Sequence, residues 1–377
     1  MKFLLIYVPN LRFSYKGDWS KRKLNEICLF FKGNGLSKSD LSNEGFPCIL
    51  YGELYTTYKN EVISDIISKT NTTLSNPFLS RNNDLIIPGS GEDPIDIAVA
   101  RAIYQNDIIL GGDLNILRPK SNVSAAFLSY QLNGVRRYDI AKKAQGKSIV
   151  HLHNSDLKEV LVSIPSYDEQ LHIVKLLTKI DEMIETQSKI IDSYFSLSKA
   201  ISNTLIGQSK GNTRLRECLN CYSSNTMESV IKQEDLGDYP VYGANGIIKK
   251  INNYEIEYPS IAIVKDGSGV GKMFKLSGKY SILSTLNYLT SKPGYDIDYI
   301  YYALKQKSLK KYVVGSGIPH IYFKDYEQEK IYIPQNELQQ QNITSVLQSI
   351  DEEIGNEIKQ LKNYELLKKY LLKNMFV

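Results

Sequence analysis

The chain of 377 residues contains one internal repeat, and this repeat constrains the fold more than any other feature. Its clearest pair is Ile180–Ile184 and Ile350–Ile354, two similar pentapeptides, one in each half of the chain. Shorter matches precede this pair in the same order: Leu24 and Glu26 with Leu215 and Glu217, Tyr51-Gly52 with Tyr242-Gly243, Gly89–Gly91 with Gly267–Gly269, Leu114-Asn115 with Leu286-Asn287, Arg136–Tyr138 with Lys310–Tyr312, His151-Leu152 with His320-Ile321, and Ile164-Pro165 with Ile333-Pro334. Because the order is kept throughout, the sequence predicts a duplication, with extra loop residues in the first half.

Each half combines a region of strands and turns with a long helix. Short apolar runs such as Asp84–Ile87 and Ser260–Val264 predict strands, and each run precedes a glycine-rich turn. Pro165 and Pro334 mark the helix starts, since proline is tolerated in the first turn and disfavours helix before it. The predicted class is α/β (α+β), with these segments: a first head at 1–164, a first helix at 165–208, a second head at 209–333 and a second helix at 334–377.

Apolar residues recur with heptad spacing along both predicted helices. The positions are Ile173, Leu177, Ile180 and Ile184 in the first, and Ile343, Leu347, Ile350 and Ile354 in the second. Such a pattern is typical of a coiled coil. A helix packed along its own domain is the alternative, but about 35 residues at about 1.5 Å each exceed the length of a small domain. Antiparallel pairing predicts two heads held apart by a two-helix rod, with pseudo-two-fold symmetry.

This symmetry suits DNA, because proteins that read two half-sites match the two-fold symmetry of B-DNA at a fixed spacing. The net charge of +5 permits a nucleic-acid partner without requiring one. The apolar opening at residues 1–8 is too short for a signal peptide, and the sequence has no apolar run of membrane length, so we expect a cytoplasmic protein.

The sequence offers no catalytic residues and no metal site. Cys218 and Cys221 form a CxxC without a second ligand pair, so we expect two thiols rather than zinc. Asn76–Phe78 lacks the second proline of an adenine methyltransferase motif. Gly267–Lys272 has the wrong spacing for a P-loop, and Met273 stands where that motif needs Ser or Thr. We therefore predict a protein that is not an enzyme.

Several segments together resemble the specificity (S) subunit of type I restriction-modification systems, the HsdS family. They are Val8–Phe13 with Trp19 and Lys23–Ile27, Asp168–Val174 with Ile180–Ile184, Tyr239–Ile248, and Leu371–Val377. The resemblance covers essentially the whole chain and rests on the order of the segments. One departure is Pro334–Gln340, which begins the second helix with one residue more than its counterpart.

The resemblance implies a sequence-specific DNA-binding subunit whose heads are target recognition domains for a bipartite site. Two modification subunits, which carry S-adenosylmethionine and methylate adenine at N6, and ATP- and magnesium-dependent restriction subunits would bind to it. The chain itself would hold no cofactor. The eight heptad residues named above would belong to partner-binding helices.

The candidate DNA-binding residues come from basic clusters and from polar loops. Phosphate contacts are predicted for Arg136, Arg137, Lys142, Lys143, Lys147, Lys265, Lys272, Lys310, Lys311 and Lys324. Further contacts are predicted for Tyr51, Gln145, His151, Tyr242, Asn245, Ser268, His320 and Tyr322, the amides because they can bond adenine. The alternatives are solvated helix faces for the basic clusters, plain turns for the glycine loops and structural roles for the histidines.

Two other protein classes compete with this interpretation. One is a coiled-coil scaffold that binds no nucleic acid, which would not explain basic pairs in both heads. The other is the reader part of a single-chain restriction-methylation enzyme, which would need catalytic domains in the chain.

Overall fold

The computed structural model describes residues 9–231 and 237–377. The apolar opening at 1–8, which we expected to be too short for a signal peptide, lies outside the described residues. The chain divides into two compact units: one runs to Ser188 and includes Lys359–Val377, and the other is Lys189–Ile358. Both boundaries fall inside long helices, so each unit combines one head with segments of both helices.

The first unit is built on two sheets. Its strands are β1 (Ser20–Lys23), β2 (Cys28–Lys32), β3 (Leu41–Ser42), β4 (Phe46–Ile49), β5 (Val62–Ile63), β6 (Ser68–Thr70), β7 (Asp84–Pro88), β8 (Ser90–Gly91), β9 (Arg101–Ile103), β10 (Ile109–Leu110), β11 (Leu114–Pro119), β12 (Val150–His151) and β13 (Leu161–Ile164). Its helices are α1 (Leu24–Ile27), α2 (Glu53–Thr56), α3 (Pro94–Ile97), α4 (Ala125–Asn133), α5 (Arg137–Ala141), α6 (Asn154–Lys158) and the start of α7 (Tyr167–Ser202). The sheet orders are β2-β11-β7-β9-β5 and β10-β4-β6-β3, and two small pairs, β1-β13 and β8-β12, complete the unit.

Strand β7 lies at the centre of the larger sheet and is buried on both faces. Leu85, Ile86 and Ile87 are fully buried, which is why this predicted strand is a continuous apolar run rather than an alternating one. Helix α4 packs on β7 and β9, and all its residues except the last are buried. Ser124 caps this helix by accepting a hydrogen bond from the Phe127 amide at 3.3 Å.

The second unit repeats this plan with fewer residues. Its strands are β14 (Thr213–Arg214), β15 (Leu219–Ser223), β16 (Tyr239–Gly243), β17 (Gly246–Ile251), β18 (Ser260–Val264), β19 (Met273–Leu276), β20 (Ser281–Ile282), β21 (Leu286–Ser291) and β22 (Lys330–Ile331). Its helices are α8 (Leu215–Cys218), α9 (Ile297–Lys305), α10 (Phe323–Tyr326) and the start of α11 (Glu337–Asn374). The sheet orders are β15-β21-β18-β19 and β17-β16-β20, with a separate β14-β22 pair.

The two units confirm the predicted duplication. Strands β2, β11, β7 and β9 occur in the same order as β15, β21, β18 and β19. In each unit a parallel pair, β4-β10 or β16-β20, lies in the second sheet. Helices α4 and α9 occupy equivalent places, since they directly follow the equivalent strands β11 and β21. Strand β17 pairs antiparallel with β16 as β6 does with β4. Strands β3 and β5 and helices α2 and α3 have no counterpart in the described part of the second unit and contribute to the extra residues of the first half.

Three of the short sequence matches are wrong by two residues. Strand pairing aligns Ile49 with Leu110 and Tyr242 with Ile282, so Ile49, and not Tyr51, is the counterpart of Tyr242. In a strand, a slip of two residues keeps every side chain on its own face, so the hydrophobic pattern does not reveal it.

The other two slips concern the glycine loops and the basic pairs. Ser90 pairs with His151 whereas Asp266 pairs with His320, so Gly89–Gly91 corresponds to Lys265–Gly267. Helix α5 begins at Arg137, and a 3-10 helix of the second unit begins at Leu309. These two starts are as many residues apart as the starts of α4 and α9, so the two helices are equivalent. Lys310 and Lys311 therefore do not occupy the positions of Arg136 and Arg137.

At the start of both long helices a glutamine bonds back to the proline before it, despite the extra residue before the second helix. The Nε2 atom of Gln170 donates to the Pro165 carbonyl at 3.1 Å, and that of Gln340 donates to the Pro334 carbonyl at 2.8 Å. The added residue is accommodated before α11 begins at Glu337.

The predicted antiparallel pairing of the long helices is confirmed within the first unit. The end of α11 shares a core with the start of α7, where Leu371 joins Ile173, Leu177 and Ile180. Lys368 contacts Asp181. Just beyond the end of α11, Phe376 packs edge-on against Trp19, whose indole N–H donates to Glu169 at 3.3 Å. In the second unit, Ile201 and Ile206 share a core with Ile343 and Leu347.

The four cysteines are free thiols. Burial raises the pKa of Cys28 and Cys218 to about 12, and that of Cys48 and Cys221 to about 11. Within residues 9–231 and 237–377, no cluster of three or more His, Cys, Asp or Glu side chains is arranged to hold a metal ion. In those ranges no helix combines the length and the apolarity needed to cross a bilayer.

We expect the native thiols to resist alkylation, because at pH 8 a thiol with such a raised pKa is ionised to about one part in a thousand or less. Iodoacetamide followed by mass spectrometry should modify Cys221 slowly and the three buried cysteines hardly at all. In denaturant all four should react. Rapid labelling of Cys28 in the native chain would contradict the buried environment.

Candidate nucleic-acid interface

Three loops of the second head meet beside the ends of strands β16 and β18. Lys272 lies at the end of the loop between β18 and β19. Its Nζ atom donates a hydrogen bond of 3.1 Å to Asn245 Oδ1 in the β16–β17 turn. The amide of Gly267 donates to the Pro319 carbonyl at 2.8 Å, which attaches the loop before α10. The structure thus brings together three segments that the sequence analysis had named separately.

These loops line a cavity of about 400 Å³ that is open to solvent. Asn245, Asp266, Ser268 and Thr285 are among its lining residues. An amide, a carboxylate and two hydroxyls provide both donors and acceptors, the groups that read base edges. Lys272 is exposed beside the cavity, where an ammonium group can meet a phosphate.

Aromatic and basic side chains continue this surface beyond the cavity. The His320 and Tyr322 rings lie 5.1 Å apart, and Lys324 Nζ lies 5.3 Å from the Tyr322 ring. Tyr322 and Lys324 are exposed, while Lys265 is half-buried. Tyr242 is also half-buried and packs edge-on against Tyr280, so it supports the site from the core side.

The first head has the same frame with different side chains. His151 pairs with Ser90 across β12 and β8, and Ser90 donates to Asp113 at 3.1 Å. The backbones of Gln145 and His151 exchange two hydrogen bonds, of 2.9 and 2.7 Å, as those of Val314 and His320 do at 2.9 and 2.8 Å. Gln145, Lys147 and His151 are exposed here. Tyr51 is half-buried and packs against the core just before α2.

The two arginines of the first head have partners inside the protein. Arg136 Nη2 donates to the Val377 carbonyl at 2.8 Å, and Arg137 Nη2 donates to the Ile95 carbonyl at 3.0 Å. Both side chains are half-buried. This arrangement gives Arg136 and Arg137 a structural use, and the exposed cation nearby is Lys142, with Lys143 half-buried beside it.

The lysine pair of the second head is more accessible. Lys310 and Lys311 are exposed, and Lys311 forms an ion pair with Glu329 at 2.7 Å. Hydrogen bonds to Glu329 and Tyr312 raise the pKa of Lys311. A phosphate contact at Lys311 would have to displace Glu329, whereas Lys310 is exposed beside it.

The heptad residues are turned towards their own chain. Ile173, Leu177, Ile180, Ile343, Leu347 and Ile354 are buried, while Ile184 and Ile350 are half-buried. A partner therefore cannot contact most of these eight side chains directly, and the assignment of the two helices to partner binding stays a prediction. The alternative of a helix packed along its own domain holds for the start of each long helix. The large apolar side chains that the two helices expose are Tyr167, Leu171, Ile190, Phe195, Leu197, Leu338, Val346, Ile358, Leu366, Leu367 and Tyr370.

Sequence reasoning missed why an aspartate recurs in the repeated pentapeptide. Asp181 accepts a hydrogen bond from the Tyr130 hydroxyl at 2.6 Å, and Asp351 accepts one from Tyr302 at 3.0 Å. Tyr130 and Tyr302 are separated by the same number of residues as Leu114 and Leu286, so the internal repeat already pairs them in the sequence. The pair ties each head to the helix that follows it.

The N-terminal segment also depends on one buried acid. Glu169 accepts two hydrogen bonds of 2.7 Å from the Arg12 guanidinium and one of 3.3 Å from Trp19. The Glu169 hydrogen bond raises the pKa of Arg12. Arg12 and Trp19 thus attach the opening segment to the first turn of α7 through Glu169.

Known proteins match this arrangement across both halves. The family model described as the type I restriction modification DNA specificity domain matches residues 16–193 and 213–363. The MjaVIII specificity subunit of a type I restriction enzyme from Methanocaldococcus jannaschii is 34% identical over 169 residues, 41% of this chain and 39% of that subunit. A Mycoplasma genitalium protein named as a type I specificity subunit is 24% identical over 400 aligned positions, covering 98% and 96% of the two chains.

Two solved structures share the fold. The S subunit of a type I restriction-modification system from M. genitalium superposes with a TM-score of 0.71 at 19% identity and covers 98% of this chain and 99% of its own. A chain from a structure on complex assembly of the type I system gives a TM-score of 0.52 at 15% identity, covering 95% and 97%. Because the family model matches both halves of the chain, this protein belongs to the specificity subunits of type I restriction-modification systems, the HsdS family, which recognise DNA.

Proposed function

We propose that this chain reads a bipartite DNA site, with each head recognising one half. The observation that carries the proposal is the shared frame of the two loop regions, 145–151 and 314–320, which present different side chains. Equal frames would dock on DNA in the same way, and unequal side chains would select different bases. Asn245, Asp266 and Ser268 are the candidate base readers of the second head.

Lysines at the edge of each loop region would supply the phosphate contacts. In the second head these are Lys265, Lys272 and Lys324, and in the first head Lys142 and Lys147. Such contacts add affinity for every sequence and make binding sensitive to salt. The modest net charge of +5 is sufficient because the basic groups stand beside the polar loops.

We expect Lys272→Ala to weaken binding to all duplexes alike and to reduce the salt slope of binding by about one. Fluorescence anisotropy at a series of salt concentrations measures both quantities. Lys330→Ala, which removes an exposed lysine of β22 in the same head, is the matched control. An equal loss in both variants would mean that binding is not localised at these loops.

The long helices would dock two modification subunits and, through the assembly, restriction subunits. The support is the set of exposed apolar side chains on α7 and α11, among them Phe195, Leu338 and Leu366. We infer that S-adenosylmethionine, ATP and magnesium bind to those partners, and that this chain is not catalytic, because its sequence lacks methyltransferase and P-loop motifs. A DNA-bound assembly of this kind would act in the cytoplasm.

A single experiment separates this function from a scaffold that ignores DNA. The chain is mixed with its modification subunit, duplex DNA and labelled S-adenosylmethionine. The proposal predicts DNA binding that weakens with salt and methyl transfer that requires both proteins. Methyl transfer by the chain alone would contradict the non-catalytic role, and assembly without DNA binding would favour the scaffold.

A further inference from the structure

Each head exposes one isoleucine at the same position of the same loop. Ile149 is 57% exposed and Ile318 is 71% exposed, and the two have the same offset as His151 and His320. The glycines Gly146 and Gly315 and the terminal histidines are also shared, whereas the positions around the isoleucine differ, with Gln145 equivalent to Val314 and Lys147 equivalent to Ser316. The isoleucine is thus shared while its neighbours vary.

The backbone closes both loops in the same way. The two ladder hydrogen bonds between residues 145 and 151, and between 314 and 320, close each seven-residue loop at its base. Gly146 (φ 133°) and Gly315 (φ 95°) adopt positive φ, and a Cβ at either would collide with the carbonyl oxygen of Ile149 or Ile318. That carbonyl faces into the loop and the isoleucine side chain is directed to solvent.

The surroundings indicate what covers these tips. Lys147 lies in the first loop, and Lys265 and Lys324 flank the second, where the Ile321 amide donates to the Lys265 carbonyl at 2.9 Å. An apolar tip between ammonium groups fits a ligand with phosphates outside and apolar faces inside. A DNA groove has this character, and isoleucine is among the residues that proteins insert between base steps.

We propose that Ile149 and Ile318 are paired wedges, each packing against a base step beside the half-site that its head reads. This inference rests on the proposed function. Because both heads keep isoleucine while residues such as Gln145 and Val314, or Lys147 and Ser316, differ, the wedge acts independently of sequence, and the variable neighbours carry the base selection. Loosening the stack at that step would assist a partner that must extrude a base from the duplex.

The test uses the full chain with its modification subunit and a duplex carrying the methylated site. We expect Ile149→Ala and Ile318→Ala each to lower DNA affinity about tenfold, since each loses most of a buried aliphatic contact. The salt slope should stay unchanged because no phosphate contact is removed. The double variant should lose about the product of the two effects, since the residues belong to separate units.

A second readout reports on the stack itself. With 2-aminopurine placed at successive steps beside each half-site, the unaltered complex should raise its fluorescence at one step, and the alanine variant of that head should not. Ile318→Met, which keeps a long apolar side chain, should retain the signal. Ile67→Ala is the matched control, because Ile67 is 63% exposed and lies outside both loops.

The outcomes separate the wedge from the proposed function. If the unaltered complex fails to bind the duplex, the result contradicts both the proposed function and the wedge. If it binds, and the alanine variants match it in affinity and fluorescence, only the wedge is overturned. The wedge is also overturned if the variants lose the modification subunit on size-exclusion chromatography, because the tips would then be protein contacts.

Discussion

Replacing Lys368 by Met should lower the free energy of unfolding by about 3–5 kcal/mol, because it leaves buried carboxylates without their cation. Lys368 Nζ lies 2.6 Å from Glu61 Oε2 and 2.6 Å from Asp181 Oδ1. The three side chains are only 17%, 7% and 5% exposed. Asp181 also accepts the Tyr130 hydroxyl, so the loss of Lys368 disturbs a connected group that joins α11, α7 and the first head.

The size of this loss should depend on pH. Burial raises the pKa of Asp181, and this outweighs the opposite effect of Lys368. Burial lowers the pKa of Lys368, but Glu61 and Asp181 more than offset it, so that pKa is raised and the ammonium stays charged at neutral pH. Without Lys368 the pKa of Asp181 rises further. The folded state then keeps a proton that the unfolded state has released, so stability falls as pH rises through that window. The variant should therefore be less impaired at pH 5 than at pH 7.5.

The single tryptophan provides the measurement. Trp19 is buried against Phe127 in the first unit, so its fluorescence follows the unfolding of the unit that contains Lys368. Urea titrations of the unaltered chain, Lys368→Met and Lys369→Met should show a large shift only for Lys368. Lys369 is exposed on the same helix and is the matched control. Equal midpoints for the two variants would contradict the buried ion pair.

Exchanging residues 209–333 for the second head of another specificity subunit should change one half of the recognised site completely. The other half should be kept, because the loops of the first head lie in a unit with its own core. The exchanged segment contains β14–β22, including both partners of the terminal β14-β22 pair, so the sheets of the second head are replaced whole.

The join must preserve contacts with the retained helices. Ile206, Ile343 and Leu347 belong to the core of the second head although they lie outside the exchanged segment, and Gln306 donates to Ser202 at 2.6 Å. A donor head with apolar residues facing those positions should fold. The reciprocal exchange of residues 1–164 is the control and should change the opposite half. Adenine methylation mapped across a genome reads both results, and a change in both halves from either exchange would contradict separate reading.

The fold follows from patterns that repeat over many residues. Heptads, the ordered matches and buried runs such as Ser260–Val264 each combine several positions, so single deviations do not obscure them. Matches of two or three residues failed for the opposite reason. Tyr51 and Tyr242 look equivalent in sequence, but strand register, set by backbone pairing, places Ile49 opposite that position.

The sites were only partly predictable because their side chains meet across long stretches of chain. Lys272 and Asn245 are 27 residues apart, and Lys368 and Glu61 are 307 apart, and no local pattern connects them. The phosphate contact predicted for Arg136 rests on its charge, which is visible in sequence, whereas its hydrogen bond to the Val377 carbonyl is visible only in the folded chain. Sequence reasoning identified Gln145, Lys147, His151 and His320 as candidate contacts, but it missed Ile149 and Ile318 in the same two loops.

The measurement that tests the central claim most directly is adenine-methylation sequencing of cells that express this chain with its modification subunit, compared with cells that express the modification subunit alone. The account predicts one methylated sequence made of two specific parts with a fixed gap between them, present only when the chain is present. A continuous site, or methylation that does not depend on the chain, would contradict it.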